Sequence, residues 1–304
     1  MEYIQLSNGN RMPKIGLGTD DVLFVRKLKS SENRYIRKLL DVYHHRLLKP
    51  YLNHQLSNSI ADAIKMGYRL IDTSAAYSNE EAIGRAIRIS GVDRKQIFVT
   101  TRVTNRQQYA RQVREAFFKS LETLRLDYID LYMFHWPVTD LFLDTWKEME
   151  KLYEEGYVRN LGFANCHQHH IEDILKICKV RPVVNQFEVH PLFTQKPLID
   201  YCKSQGIQVE AYSPIAQNND RLRRNRVLHA LADKYHKTTM QIILRWHIEN
   251  GVIPIPRSTN IQRLKQNIDV FDFSLTPEEV ENIDKININS RLRYDPDNCD
   301  FTLL

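Results

Sequence analysis

Short runs rich in β-forming residues alternate along the chain with longer stretches in which apolar positions recur every three or four residues. The runs are Lys14–Thr19, Tyr68–Thr73, Gln96–Val103, Tyr128–Trp136, Val158–Asn165, Pro182–His190, Gln208–Pro214 and Val252–Ser258. The runs predict strands, the intervening 3.6-residue period predicts helices, and their alternation predicts a parallel sheet. The helices are expected at Ser57–Met66, Asn79–Ile89, Gln107–Leu124, Asp144–Glu155, His167–Cys178, Gln195–Gln205, Asn225–Tyr235 with Thr239–Asn250, and Ile261–Asn267. Several stop at a glycine (Gly67, Gly91, Gly156), which ends a helix by entering left-handed backbone without a steric cost. Eight strand–helix units in one chain of this length predict an α/β fold, a (β/α)8 TIM barrel forming one domain over residues 1–304.

Three segments lie outside that repeat. Tyr3–Leu6 and Arg11–Pro13 flank Asn8-Gly9, a turn signature, so an N-terminal β-hairpin is expected to plug the barrel bottom. Thr276-Pro277-Glu278-Glu279 combines an N-cap, a first-turn proline and acidic residues, predicting a last helix near Ile286, after which the tail 290–304 has no period. Residues 22–56 stand between the first strand and its helix. Tyr35, Ile36, Leu39, Leu40, Tyr43, Leu47 and Leu48 recur there at helical spacing among charged residues, so a helical insertion is expected at the end of the barrel where active sites open.

Composition narrows the function. The 304 residues are 42% hydrophobic and 26% charged, as in a folded protein with a sizeable core, and no apolar run approaches the roughly 18 residues of a membrane span. The beginning carries no basic segment followed by an apolar run, and the four cysteines have neither zinc nor disulfide spacing, so a cytoplasmic location is expected. Lysine and arginine total 43 against 37 acidic residues. The excess sits in 22–56, where Arg26, Lys27, Lys29, Arg34, Arg37, Lys38, Arg46 and Lys49 face only Glu32 and Asp41. No aromatic-basic platform accompanies it, so neither a nucleic-acid nor a membrane partner is expected. The insertion reads either as a solvated lid or as a docking surface for an acidic partner.

Chemistry-bearing residues gather at the strand ends: Asp72 and Tyr77 after the second, Arg102 in the third, His135-Trp136 after the fourth and Gln186 in the sixth. Gly9–Thr19, Gly67–Glu80, Leu131–Pro137, Leu161–Asn165, Val184–Pro191, Ala211–Ile215 and Ile253–Ser258 together resemble the aldo-keto reductases over nearly the whole chain. The resemblance implies carbonyl reduction by a nicotinamide hydride with catalytic Asp72, Tyr77 and His135. A carbonyl that receives hydride develops alkoxide charge and needs a proton donor. On that reading Tyr77 is the candidate, with a cation to ease its ionisation, a buried Asp72 to hold that cation, and His135 to orient the carbonyl or relay a proton. Arg102 stands where that family has lysine. It keeps the positive charge, which is expected to lower the Tyr77 pKa, but its planar fork is expected to pair bidentately with Asp72 and to support slower chemistry.

Gly16-Leu17-Gly18 is followed by Asp21 where a Rossmann fingerprint needs a third glycine, so the dinucleotide is expected at the barrel's own phosphate site, after strands seven and eight. By resemblance, Tyr212 stacks on the nicotinamide and Asn165 and Gln186 bond its carboxamide. Thr19, Ser213, Pro214, Ile215 and Thr259 join the cofactor site. Arg257, Ser258 and Arg263 grip a 2′-phosphate, Asn267 meets the adenine end, and NADPH is the expected cofactor. Ala164 replaces a serine of the family. Trp136 is expected to wall the substrate pocket, while Asp20 and Asp21 replace an aromatic residue at its mouth. His167, His169 and His170 raise a zinc reading, set aside because no carboxylate or thiolate ligand accompanies them in sequence. The expected function is NADPH-dependent reduction of an aldehyde or ketone. The alternative, prompted by Arg102, is a nucleotide-binding protein of low turnover with a redox-sensing or regulatory role.

Overall fold

A computed structural model describes residues 1–20 and 49–303. The hairpin pairs β1 (Tyr3–Gln5) antiparallel with β2 (Arg11–Pro13), and Gly9 takes the left-handed backbone, φ 87°, that the turn requires. Leu6 and Met12 pack on Leu70, Phe98, Leu131 and Val184, the first residues of four barrel strands, so the hairpin closes the N-terminal end of the barrel.

The barrel strands are β3 (Leu17–Gly18), β4 (Leu70–Asp72), β5 (Phe98–Val103), β6 (Leu131–Phe134), β7 (Leu161–Ala164), β8 (Val184–Glu188), β9 (Gln208–Tyr212) and β10 (Val252–Pro254), each parallel to its sequence neighbour. Backbone bonds from Gly16 N to Pro254 O (3.1 Å) and from Gly18 N to Pro256 O (3.0 Å) join the first strand to the last and close the ring. Gly16 is required there, because a Cβ at that position would sit 2.6 Å from Ile255 and 2.8 Å from Leu70. All eight strands stand where the apolar runs predict them, trimmed at their ends as the chain turns out of the ladder. Outside the ring, Phe117, Phe134, Trp146, Met149 and Phe163 form part of a continuous core between strands and helices. Each such fully buried side chain contributes roughly 1.5–3 kcal/mol relative to exposure.

Two helical boundaries differ from expectation. The stretch Gln107–Leu124 is two helices, Asn105–Tyr109 and Val113–Leu124. Thr104 and Gln107 form a capping box that starts the first, and the chain then breaks at Arg111, φ 53°, so that Gln108 can donate to the Trp136 carbonyl at 3.1 Å. The first barrel helix runs Lys49–Lys65, so the last eight residues of the expected insertion belong to the barrel itself. The amphipathic pattern of residues 35–48, and Asp21, lie outside the described residues. Among the described residues no helix is long and apolar enough to cross a membrane.

Candidate active site

The C-terminal ends of β3, β4 and β5 bring the first group of predicted residues together. After β4 the Ser74 hydroxyl accepts from Ala76 N (3.1 Å) and caps a one-turn 3-10 helix, Ala75–Tyr77, which Ser78 ends in left-handed backbone, φ 55°. Asn79 fastens this turn by donating to the Thr19 carbonyl (2.7 Å) and accepting from the Thr73 hydroxyl (3.1 Å). Tyr77 is thereby held half-buried, its ring edge-on to His135 with centroids 6.0 Å apart and planes at 81°.

Beneath this pair Arg102 is 1% exposed and Asp72 3%. The guanidinium contacts Asp72 Oδ2 through one nitrogen, Nη2, and donates from Nη1 to Gln186 Oε1 at 2.7 Å. It is therefore not the bidentate fork on Asp72 expected from its shape; the second arm is taken by Gln186. Gln186 in turn donates from Nε2 to Asp72 Oδ2 and to Glu210 Oε2, both at 2.9 Å. Its amide oxygen and nitrogen are thus engaged by Arg102, Asp72 and Glu210. Thr19, 1% exposed, donates both its amide (3.1 Å) and its hydroxyl (3.0 Å) to the Asp72 carbonyl.

Burial dominates the electrostatics. It pushes the Tyr77 phenol up despite the opposing pull of Arg102, which overturns the expectation of a lowered pKa. Burial, reinforced by the Arg102 and Arg293 charges, pushes His135 down to about 3, so the imidazole is neutral at neutral pH. Burial also works against the Arg102 charge, yet Asp72, Tyr77 and Glu210 together hold it above its ordinary range.

On the other side of the ring, β7 ends at Asn165 in left-handed backbone, φ 62°, a conformation that asparagine tolerates better than most residues. Asn165 donates to the His135 carbonyl (2.9 Å) and accepts from the Tyr212 hydroxyl (2.8 Å), leaving one N–H and one lone pair for a ligand. Ser213 follows Tyr212 at φ 48°, and the Pro214 carbonyl bonds the His247 Nε2 at 2.9 Å, while Ile215 packs on the core. After β10, Arg257 and Thr259 are exposed and line a groove of about 540 Å³ with Leu52, Gln55, Leu56, Asn58 and Ser59. Ser258 accepts from Asn260 N at 3.1 Å, and Asn260 caps the helix Ile261–Ile268, which carries exposed Arg263 and buried Asn267. Cationic donors beside a helix start match a phosphate ester, and a half-buried aromatic face beside a spare amide matches a nicotinamide. This donor set fits a phosphorylated dinucleotide.

The tail supplies contacts that strand-end reasoning missed. Glu188, fully buried at the end of β8, accepts from the backbone of Leu292 (2.6 Å) and Arg293 (2.8 Å) and so anchors the tail over the barrel mouth. Arg293 pairs with Asp20 at 3.7 Å. Trp136 is only 8% exposed, and Phe301 of the tail packs against it. The tail also overturns the ground on which zinc was set aside, for Asp297 stands among the three histidines. It lies 2.7 Å from His167 Nδ1, 3.4 Å from His169 Nε2 and 3.9 Å from His170 Nε2. His170 Nδ1 accepts from the His167 amide (3.2 Å), which puts the ring proton on Nε2, the atom facing Asp297. The cluster is wired as a latch on the tail.

Residues 49–288 match the family model described as the aldo/keto reductase family. The glyoxal reductase of Bacillus subtilis (strain 168) is 42% identical over 97% of this chain and 96% of its own length. The methylglyoxal reductase DkgA of Escherichia coli (strain K12) is 37% identical over the same shares, 97% and 96%. Among solved structures, a Bombyx mori aldo-keto reductase in complex with NADP superimposes with a TM-score of 0.81 at 37% identity, over 97% of this chain and 96% of that one. With the closed barrel and its strand-end cluster, these matches establish that the chain belongs to the aldo/keto reductase family.

Proposed function

We propose that this protein is an oxidoreductase that reduces small aldehydes or ketones with NADPH, and that its substrates are 2-oxoaldehydes of the glyoxal and methylglyoxal kind. Relatives matching over almost the full chain carry those activities in their names, and solved family members carry NADP or NADPH. The observation that carries the reading is the edge-on pair of Tyr77 and His135 above the buried Arg102–Asp72 contact. When bound, the dinucleotide supplies the hydride. Arg257, Thr259 and Arg263 hold its phosphorylated end, and Asn165 and Tyr212 its nicotinamide end.

Tyr77 is protonated at neutral pH, as a donor must be, and it gives its proton to the carbonyl oxygen as that oxygen becomes anionic. Arg102 stabilises the phenolate left behind, and Asp72 keeps Arg102 in place. His135, neutral, donates a hydrogen bond to the carbonyl oxygen and fixes its orientation rather than acting as an acid. The test is NADPH oxidation over glyoxal, methylglyoxal and larger aldehydes. Turnover of the small dicarbonyls is expected, and no turnover of any carbonyl defeats the reading. A second reading, nucleotide binding with little turnover, is favoured by the raised Tyr77 pKa, since a weak acid transfers its proton slowly. Quenching of tryptophan fluorescence by NADPH without oxidation across the same carbonyls would support it.

A further inference from the structure

Inside the ring, beneath the reacting groups, three ionisable side chains share one carboxamide. Asp72 on β4, Arg102 on β5 and Glu210 on β9 are 3%, 1% and 0% exposed, and Gln186 on β8, 1% exposed, touches all three. Two carboxylates beside one guanidinium leave a surplus negative charge in a medium that solvates it poorly, so one carboxyl keeps its proton.

The bonds decide which one. Asp72 Oδ2 receives both the Arg102 Nη2 contact and the Gln186 Nε2 bond, two donors that favour its charged form. Glu210 receives the Gln186 bond alone on Oε2, and its Oε1 has no partner among the described residues. Burial raises both carboxyls, and Arg102 and Gln186 offset it more fully at Asp72, so the proton belongs to Glu210.

We propose that Glu210, as a neutral carboxylic acid, is a positioning residue for carbonyl reduction. It fixes Gln186, which holds one arm of Arg102 while the other contacts Asp72 under Tyr77, and its ionisation weakens the reaction. Once charged, Glu210 competes with Asp72 for the guanidinium and cancels part of the positive charge that stabilises the Tyr77 phenolate. The charged and titratable groups facing it are Asp72, from β4, and Arg102, from β5; Gln186, from β8, is uncharged. Burial and the Asp72 charge push the Glu210 carboxyl up to about 8, against the smaller pulls of Gln186 and Arg102, which places the loss within an accessible pH range.

The proposal rests on the carbonyl-reduction reading, and its test separates the two. In wild type, kcat for a small aldehyde is expected to fall about tenfold from pH 7 to pH 9, with its inflection near that of Glu210. In Glu210→Gln, which cannot ionise but still offers Gln186 an acceptor, the fall disappears. In Glu210→Met, which offers none, kcat drops at every pH with KM little changed, and the glutamine variant recovers most of it. Stability without cofactor gives a second reading. A carboxyl whose folded pKa exceeds its unfolded value makes Tm decline as pH rises from about 5 to about 8, and Glu210→Gln flattens that slope. Failure of every protein to reduce any carbonyl overturns the function reading. An unchanged alkaline inflection in Glu210→Gln, or an unchanged slope of Tm, overturns the role of Glu210.

Discussion

Arg102 reaches Gln186 across the inside of the barrel, Nη1 to Oε1 at 2.7 Å, and this bond turns the arginine away from a forked grip on Asp72. The cation beneath Tyr77 is thus held by a carboxylate and a carboxamide on opposite sides of the ring. Lysine at this position would be a compact charge on a flexible stem, free to approach the phenol. Arg102→Lys is expected to raise kcat severalfold on the same aldehyde, measured by steady-state NADPH oxidation. A lysine variant no faster than wild type would show that the guanidinium does not limit the chemistry. Arg102→Ala, by contrast, leaves Asp72 buried without its cation and is expected to cost about 3–5 kcal/mol in denaturant unfolding.

On the proposed reading, the exposed Arg257 and Arg263 after β10 set cofactor choice. A charge-assisted bond to phosphate is worth about 1.5–3 kcal/mol, so Arg257→Ala and Arg263→Ala are each expected to weaken NADPH binding by roughly 10-fold to 100-fold. NADH, which lacks the 2′-phosphate, should be bound almost as before. Fluorescence titration with both nucleotides checks this, and equal losses for the two would mean that these side chains do not read the phosphate.

The neutral state of His135 has a kinetic signature. Its pKa, pushed down to about 3, keeps the imidazole uncharged across the ordinary working range. The kcat/KM profile for carbonyl reduction is therefore expected to show no inflection near 6.5. A step there that vanishes in His135→Asn would assign the imidazole an acid–base role instead.

The tail's fastenings include Glu188 on the backbone of Leu292 and Arg293, Asp297 among the histidines, and Phe301 over Trp136. Trp146 and Trp246 are buried elsewhere, 0% and 2% exposed, so emission reports on Trp136 when the tail moves. Phe301→Ala is expected to shift tryptophan emission to the red and to raise KM. Asp297 is a depressed carboxyl: partial burial opposes its charge, but the His167 bond and the nearby rings overcome that. Its contribution is present above the ordinary aspartate range and is lost as pH falls through its folded value. Acidification below about 4 is expected to give the same red shift in wild type, and Asp297→Asn to give it at neutral pH.

Strand ends were legible because chemistry and periodicity coincide there: Asp72, Tyr77 and His135 each follow an apolar run. Asn8-Gly9 and Thr276-Pro277 announced their turn and helix start through backbone preferences that act locally. Contacts made across the ring were not legible. The hydrogen-bond partners of Gln186 and Thr19 depend on which neighbours closure of the barrel brings to them, and no spacing along the chain encodes that. Asp297 lies far in sequence from the histidines it meets. Glu210 did leave a trace, an acidic residue between Val209 and Ala211 in a run otherwise fit for burial. The sign of the Tyr77 shift was missed because the nearby cation was weighed without the larger effect of burial.

Comparison of wild type with Tyr77→Phe tests the central claim most directly, with NADPH binding followed by fluorescence and methylglyoxal reduction by NADPH oxidation in the same preparations. Loss of the hydroxyl is expected to leave nucleotide affinity within about twofold and to lower kcat by roughly 100-fold to 10,000-fold. A phenylalanine variant that binds NADPH and still reduces the aldehyde at the wild-type rate would contradict the assignment of Tyr77 as proton donor.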